Sequence, residues 1–485
     1  MQENQSIAAA WGHFHARRLP EAEAICRSLL TQNPRDAEAL HLLGVIAGMV
    51  GKQDAAEGLL RQAAQLRPES GDILAALGTT LFQRDRLREA EQIYDRALQL
   101  NPDNFIARHN MAVIQQRVGN FPASAAHFTR ATQLAPDHAL ARLNLGAVLR
   151  DLDRIDESIA HLEQALRIDP SMGHAHMQLA WNRLLHGEFD RGWQEYEWRW
   201  RCPGAKFPQF AQPLWDGTPL AGRTIMLHAE QGLGDSIQFV RYAALLARQG
   251  GRVIVYCPQS LQTLLATAPG VAEAVGDARK LGAFDCWCPM LSLPLRFGTN
   301  LLTIPRDVPY LSADSALVAK WAQLLGGDLP GLRIGLCWAG NRANYNDVNR
   351  SIPLELLAPL GRVSGSVFYS LQVGADAPAK PPFAMIDRTS SIRDFADTAA
   401  LVSQLDLVIS VDTAVAHLAG ALAKPVWLLV PFAPDWRWLL ERPDSPWYPT
   451  MRIFRKRPME LWPEMIEKVA GTLRCVPVTR LFKPC

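Results

Sequence analysis

The sequence predicts an α + α/β chain, an all-α array of helical hairpins followed by parallel sheets with helical crossovers. Two observations carry this. Pro34, Pro68, Pro102, Pro136 and Pro170 stand 34 residues apart without a slip, a period that belongs to stacked helical hairpins. Beyond Arg223, short apolar runs alternate with helical runs, the pattern of parallel strands joined by crossover helices.

The periodic part is internally consistent. Counting back 24 residues from each proline gives Ala10, Gly44, Gly78, Ala112 and Gly146, and counting back eight gives Cys26, Leu60, Tyr94, Phe128 and Leu162. Counting back five gives Leu29, Ala63, Ala97, Ala131 and Ala165. Small and large apolar residues at fixed places let the first helix of a pair lie close against the second. Between the prolines, Leu74, Leu77, Leu81 and Phe82 follow helical spacing. Asp103 and Asp137 are placed to cap the helix that follows each proline turn. On these features residues 3–200 resemble the tetratricopeptide repeat family. A sixth, degenerate unit (Ala180, Gly192, Tyr196) has Gly204 where its closing proline would stand. An array of this kind is a surface for holding another molecule, so chemistry is expected in the remainder.

The 485 residues suffice for two or three domains with proper cores. A net charge of +2 with 20% charged residues argues against a nucleic-acid or membrane-surface protein. No run of 18 uncharged apolar residues exists, and Met1 to Trp11 lacks a basic, then apolar, signal pattern, so a cytoplasmic location is expected. Eight cysteines are scattered too sparsely for a disulfide framework. Cys286 and Cys288, flanking Trp287, read as packing residues of a strand, because no second Cys or His pair is placed to complete a metal site.

Around Trp193 the segment W-Q-E-Y-E-W-R-W-R-C-P-G, followed by Pro208, Pro213 and Pro219, marks a junction whose tryptophans are expected to pack rather than to bind a ligand. Strands are expected at Thr224–Ala229, Arg252–Cys257, Leu332–Trp338, Val367–Leu371, Leu407–Val411 and Val426–Val430. Helices are expected at Ser236–Arg248, Leu261–Ala268, Leu354–Leu360, Asp394–Gln404 and Thr413–Leu422. The stretch from Pro305 to Pro330 separates two such series, implying two α/β halves with a cleft between them.

Ligands of open parallel sheets bind beyond the carboxyl ends of the strands. The first loop there runs from His228 to Ser236. Gly232 and Gly234, beside Gln231, permit a tight turn and close approach to a ligand, and Asp235 at the helix start faces any cleft or is a plain N-cap. In the second loop Asp412 and Thr413 run into a small-residue helix whose amides can meet a phosphate. His417, one turn on, either donates to a diphosphate or fills the core. The third loop, Trp338 to Ser351, is polar, with Asn341, Arg342 and Arg350; guanidinium suits phosphate, and a solvated loop is the alternative. Gln372, after the strand Val367–Leu371, is a fourth loop candidate.

The segments G-L-G-D-S-I-Q-F-V-R, N-D-V-N-R-S-I, S-L-Q, D-L-V-I-S-V-D-T-A-V-A-H-L-A-G-A-L and P-D-W-R-W-L-L resemble the heptosyltransferase-like bacterial glycosyltransferases, in particular members fused behind tetratricopeptide repeats. The resemblance, over residues 193–475, implies a two-Rossmann-domain (GT-B) module that needs no metal and no cofactor. It implies that Asp412, Thr413 and His417 contact a nucleotide-sugar diphosphate and that Asp235 is the catalytic base. Arg350 takes the phosphate-binding place where the family has a lysine.

The expected organisation is therefore a repeat array at 1–201, an acceptor-side half at 202–330 and a donor-side half at 331–485. The expected function is inverting glycosyl transfer from a nucleotide sugar to an acceptor. That acceptor is a protein or peptide lying along the repeats, for example a flagellar or surface protein before export. The alternatives are a non-catalytic repeat scaffold with a degenerate transferase domain, and a glycosyltransferase of lipopolysaccharide or surface-glycan assembly. The residues do not name the sugar or the nucleotide.

Overall fold

The computed structural model describes residues 6–326, 330–342, 347–374, 381–458 and 460–475. Two compact units, Met1–Gln178 and Leu179–Cys485, divide the chain.

In the first unit helices pair as Ile7–His15 with Leu19–Gln32, Ala37–Met49 with Gln53–Leu66, and Gly71–Gln83 with Leu87–Leu100. Phe105–Arg117 with Phe121–Leu134 and Ala139–Asp151 with Ile155–Ile168 follow. The fixed small and large positions meet as the sequence predicts. A Cβ on Gly44 would stand 2.7 Å from Leu60, one on Gly78 2.6 Å from the Tyr94 ring, and one on Gly146 2.8 Å from Leu162. The caps fall one residue later than expected. Asp36, Ser70, Asn104 and His138 accept hydrogen bonds from first-turn amides of their helices, whereas Asp103 pairs with Arg130 on the surface.

The second unit begins within the helix Gly173–His186, not at residue 202. The expected sixth repeat therefore belongs to the α/β body. Its helix Phe189–Tyr196 has buried Phe189, Trp193 and Tyr196 on one face. Trp193 donates its indole N–H to the Thr299 carbonyl at 2.8 Å and meets Trp436 edge-on at 5.2 Å. In a true repeat these aromatics would cover a following hairpin; here they are buried in the α/β body.

The strands, in chain order, are β1 (Thr224–His228), β2 (Arg252–Tyr256), β3 (Val271–Val275), β4 (Cys286–Pro289), β5 (Leu332–Cys337), β6 (Ser366–Ser370), β7 (Met385–Ile386), β8 (Leu407–Val411), β9 (Val426–Val430) and β10 (Met451–Arg455). They form two sheets, β3-β2-β1-β4 and β10-β9-β8-β5-β6-β7. Every pairing among them is parallel. Counted from its own first strand, the larger sheet has the doubly wound order 6-5-4-1-2-3.

The central strands β8 and β9 are buried along their whole length, so they read as unbroken apolar runs and were legible. β3, β7 and β10 were not assigned as strands from the apolar runs. β10 alternates Met, Ile with Arg, Phe at a sheet edge, and β7 has only two residues. Cys286 and Cys288 lie on β4 and are buried, as packing residues should be. The expected helix 236–248 is broken into Leu233–Phe239, a 3-10 turn and Ala243–Arg248, and Leu354–Arg362 is 3-10 with Pro359 inside it.

Gly78→Ala forces a methyl into the Tyr94 ring, which cannot yield because its hydroxyl bonds Thr79 and Asn110. It is expected to lower the stability of the repeat array by about 1–3 kcal/mol in urea melts followed by circular dichroism. Gly58→Ala, mid-helix with open space around it, is expected to raise stability by roughly 0.5–1 kcal/mol.

Candidate functional site

The order of each sheet reverses beside its first strand, between β1 and β4 and between β5 and β8. Such switch points are where open parallel sheets bind ligands. The loops that leave β1, β5 and β8 carry Asp235, Arg350 and the Asp412-Thr413 pair, so these candidates come from the ends the topology favours.

After β1 the positive backbone angle falls on Gln231 (φ +60), not on either glycine. Gln231 is held there by Tyr196, whose hydroxyl donates to its Oε1 at 3.0 Å. Gly232 is the N-cap of the helix Leu233–Phe239, with extended backbone, and its amide donates to Asp235 Oδ2 at 2.7 Å. Gly234 serves a close approach of helices: a Cβ there would stand 2.8 Å from His417 Cδ2 and 3.5 Å from Ala414 Cα. Gly234 thus lets the helix after β1 lie against the helix Ala414–Ala421 of the other sheet, while the Gly232 amide serves the Asp235 cap.

Asp235 is both a cap and the member of an ion pair. Its Oδ1 accepts from Arg437 Nη2. Arg437 also donates to Gln238 Oε1 at 2.6 Å and Asp435 Oδ1 at 2.8 Å, and stacks 4.2 Å over Trp436. The guanidinium is therefore shared between the two sheet ends. Burial pushes the Asp235 carboxyl above its ordinary range, and the Arg437 charge opposes that rise. Arg437 was not singled out from the sequence, although it sits inside the quoted segment P-D-W-R-W-L-L. Its loop is strained at Leu439 (φ +49) and Glu441 (φ +52), positions where an ordinary side chain is held at a cost.

Around β8, Thr413 is the N-cap of the helix Ala414–Ala421 and no side chain caps that helix. Asp412 Oδ1 stands 3.8 Å from His417 Nε2. His417 is buried, stacked on Trp438 at 5.4 Å, and its Nδ1 lies 2.9 Å from the Tyr448 hydroxyl. Burial, then the charges of Arg437, Arg241 and Arg350, hold the imidazole well below its ordinary pKa. Burial and the nearby Asp435 carboxylate push Asp412 up to about 6, against the pull of Arg350.

Arg350 reaches the Asp412 turn. Its Nη1 donates to the Asp412 carbonyl at 2.9 Å and its Nε to Asp347 Oδ1 at 3.2 Å. Asp347 also accepts from Ser351 Oγ, which in turn accepts from the Gly340 amide. Asn341 and Arg342 are exposed on the same loop, and residues 343–346 of that loop lie outside the described residues. Gln372 is buried, and its Oε1 accepts the amides of Trp338 and Ala339 at 3.2 and 3.0 Å. That oxygen braces the loop after β5. Behind the first loop, Glu230 makes a two-point ion pair with Arg199, both side chains 5% exposed. Among the described residues no group of three or more His, Cys, Asp or Glu is placed to hold a metal ion.

Residues 50–114 and 103–171 match models of the tetratricopeptide repeat. The chain thus carries a tetratricopeptide repeat array followed by an α/β unit of parallel sheets. It is similar to protein FlbA of Caulobacter vibrioides, 28% identical over 324 residues, covering 60% of this chain and 53% of that protein. The chain spans about half the length of this curated relative. The structure of YrrB, titled a TPR protein with an unusual peptide-binding site, is 23% identical, with 35% of this chain and 87% of that chain covered at a TM-score of 0.29. Pseudomonas aeruginosa pilF is 16% identical, covering 41% of this chain and 90% of its own at 0.38. No helix among the described residues is long and apolar enough to cross a membrane.

Two expectations follow. Arg437→Met leaves Asp235 and Asp435 without their shared cation, and is expected to destabilise the α/β unit by about 3–5 kcal/mol in guanidinium melts. Asp412 binds its proton more tightly folded than unfolded, so its ionisation opposes folding as pH rises from 3.8 through about 6. Asp412→Asn is therefore expected to exceed the wild type in stability above pH 6, by up to about 3 kcal/mol, with the advantage vanishing towards pH 4.

Proposed function

We propose that the chain is a metal-independent, inverting glycosyltransferase that moves a sugar from a nucleotide-sugar donor to a protein or peptide acceptor held by its repeats. The α/β unit is read as a two-Rossmann, B-type module with the donor on the larger sheet. The observation that carries this reading is the meeting of two switch points: Asp235, paired with Arg437, comes from one sheet and Asp412, Thr413, His417 and Arg350 come from the other, with the His417 ring against the Gly234 backbone next to Asp235. A carboxylate raised by burial is suited to take a proton from an acceptor hydroxyl. The uncapped start of the helix Ala414–Ala421, the His417 ring and the Arg350 guanidinium are suited to stabilise charge on a leaving diphosphate.

The repeats favour a protein acceptor, since a small acceptor needs no extended surface. The cytoplasm, where nucleotide sugars are made and used, is the compartment that goes with this reading. One observation favours a second reading, a repeat scaffold with a non-catalytic α/β unit. Asp235 and Arg350 already have partners within the chain.

A thermal-shift screen of the full chain against nucleotides and nucleotide sugars separates the two, because a ligand that binds the native state raises its melting temperature. The transferase reading expects a shift with one nucleotide class. Asp235→Asn is expected to keep that shift and to lose sugar transfer by roughly a hundredfold or more. Folded protein that shifts with none of them points to the scaffold.

A further inference from the structure

His417 has two ring nitrogens, and the groups around it determine which one carries the proton. Arg241 Nη2 donates to the Tyr310 hydroxyl oxygen at 2.8 Å. The Tyr310 hydroxyl has the Ile237 carbonyl, which can only accept, at 3.1 Å. Its single hydrogen is directed between that carbonyl and the Tyr448 oxygen, to which it also donates at 3.4 Å. The Tyr448 oxygen stands 3.4 Å from the Tyr310 oxygen and 2.9 Å from His417 Nδ1. The imidazole nitrogen is the nearer partner for the one Tyr448 hydrogen, and Arg241, 4.7 Å over the Tyr448 ring, strengthens that phenol as a donor.

The opposite edge agrees. Asp412 Oδ1 faces Nε2 at 3.8 Å, too far for a hydrogen bond and near enough to favour a proton on that nitrogen. The ring is clamped between Trp438 and the Gly234 backbone, so it has no room to reorient.

We propose that Tyr448, anchored through Tyr310 on Arg241, is a positioning residue that holds His417 with its proton on Nε2, and that this N–H is the donor to an oxygen of a diphosphate-bearing ligand at the Asp412 turn. The first part stands on the ligand-free geometry, and the second rests on the transferase reading. The gap between Nε2 and Asp412 leaves the N–H open to a third group, as a donor to phosphate requires. Arg241 and Tyr310 belong to the segments before the larger sheet, while His417 and Tyr448 belong to it, so the tautomer depends on the packing of both.

The test uses the full chain with 15N-labelled histidine and long-range proton–nitrogen spectra at neutral pH, His417 being assigned by the signals that vanish in His417→Gln. The expected spectrum has His417 Nε2 in the protonated range and Nδ1 in the unprotonated range. In Tyr448→Phe the two signals are expected to move towards the average of the tautomers. A wild-type ring protonated on Nδ1 or on both nitrogens overturns the assignment, and so do signals unmoved in Tyr448→Phe. If that variant does not fold, the wild-type spectrum decides alone. ADP, CDP, GDP and UDP are then added in turn. The nucleotide that raises the melting temperature is expected to shift the Nε2 signal, and a raised melting temperature with that signal unchanged overturns the donor role. If none raises it, the donor role falls together with the transferase reading, while the ligand-free spectrum still decides the tautomer.

Discussion

A buried positive charge organises the α/β unit. Arg437 is 6% exposed, and a guanidinium cannot shed its proton to escape burial. It has to be neutralised where it lies, and its partners come from two places. Asp235 and Gln238 belong to the helix after β1, and Asp435 to its own loop after β9. The demand for those partners ties the ends of the two sheets together. Arg241 repeats the logic a turn further along, donating to the carbonyls of Pro305 and Trp447 and to the Tyr310 hydroxyl. The candidate site exists because these two cations need acceptors from both sheets at once.

The same geometry sets the electrostatics of the candidate residues. Asp235 and Asp412 are both pushed upward by burial, yet each stands near a cation that opposes the rise. His417 lies among three arginines and stays neutral, so it acts by hydrogen bonding rather than by charge. Positive backbone angles at non-glycine residues occur at the same end of the unit, at Gln231 in one loop and at Leu439 and Glu441 in the other, besides Ala221 and Ala423 elsewhere in it. Tyr196 holds the first of these, and the Arg437 network holds the segment that leads into the second.

The repeat array depends on something simpler. Each hairpin places a small residue opposite a large one sixteen positions later, as Gly44 meets Leu60 and Gly78 meets Tyr94. Each turn ends in a residue that can accept an amide, and this role passes from Asp36 to Ser70, Asn104 and His138 along the array. What recurs is the task, an acceptor atom at the N-cap, rather than one residue type. This is why the acidic residues Asp103 and Asp137 drew the reading one position too early.

Local pattern by itself determined a large part of this protein. The 34-residue period determined the helical pairs, and the apolar runs of β1, β5, β8 and β9 determined the buried central strands, because burial on both faces demands unbroken apolar sequence. Their order along the chain also placed Asp235, Asp412, Thr413 and Arg350 just beyond strand ends. Edge strands such as β10, with one face open to charge, left no such run. Only the tertiary structure decided what each residue meets. It turned Gln372 into a brace for two amides, gave Gly234 to a helix contact, and moved the last hairpin into the α/β unit. It also brought Arg437 to Asp235 across 202 residues. A pairing of that kind follows from the desolvation of a charge in a packed interior, and neither periodicity nor propensity along the chain encodes where that interior will be.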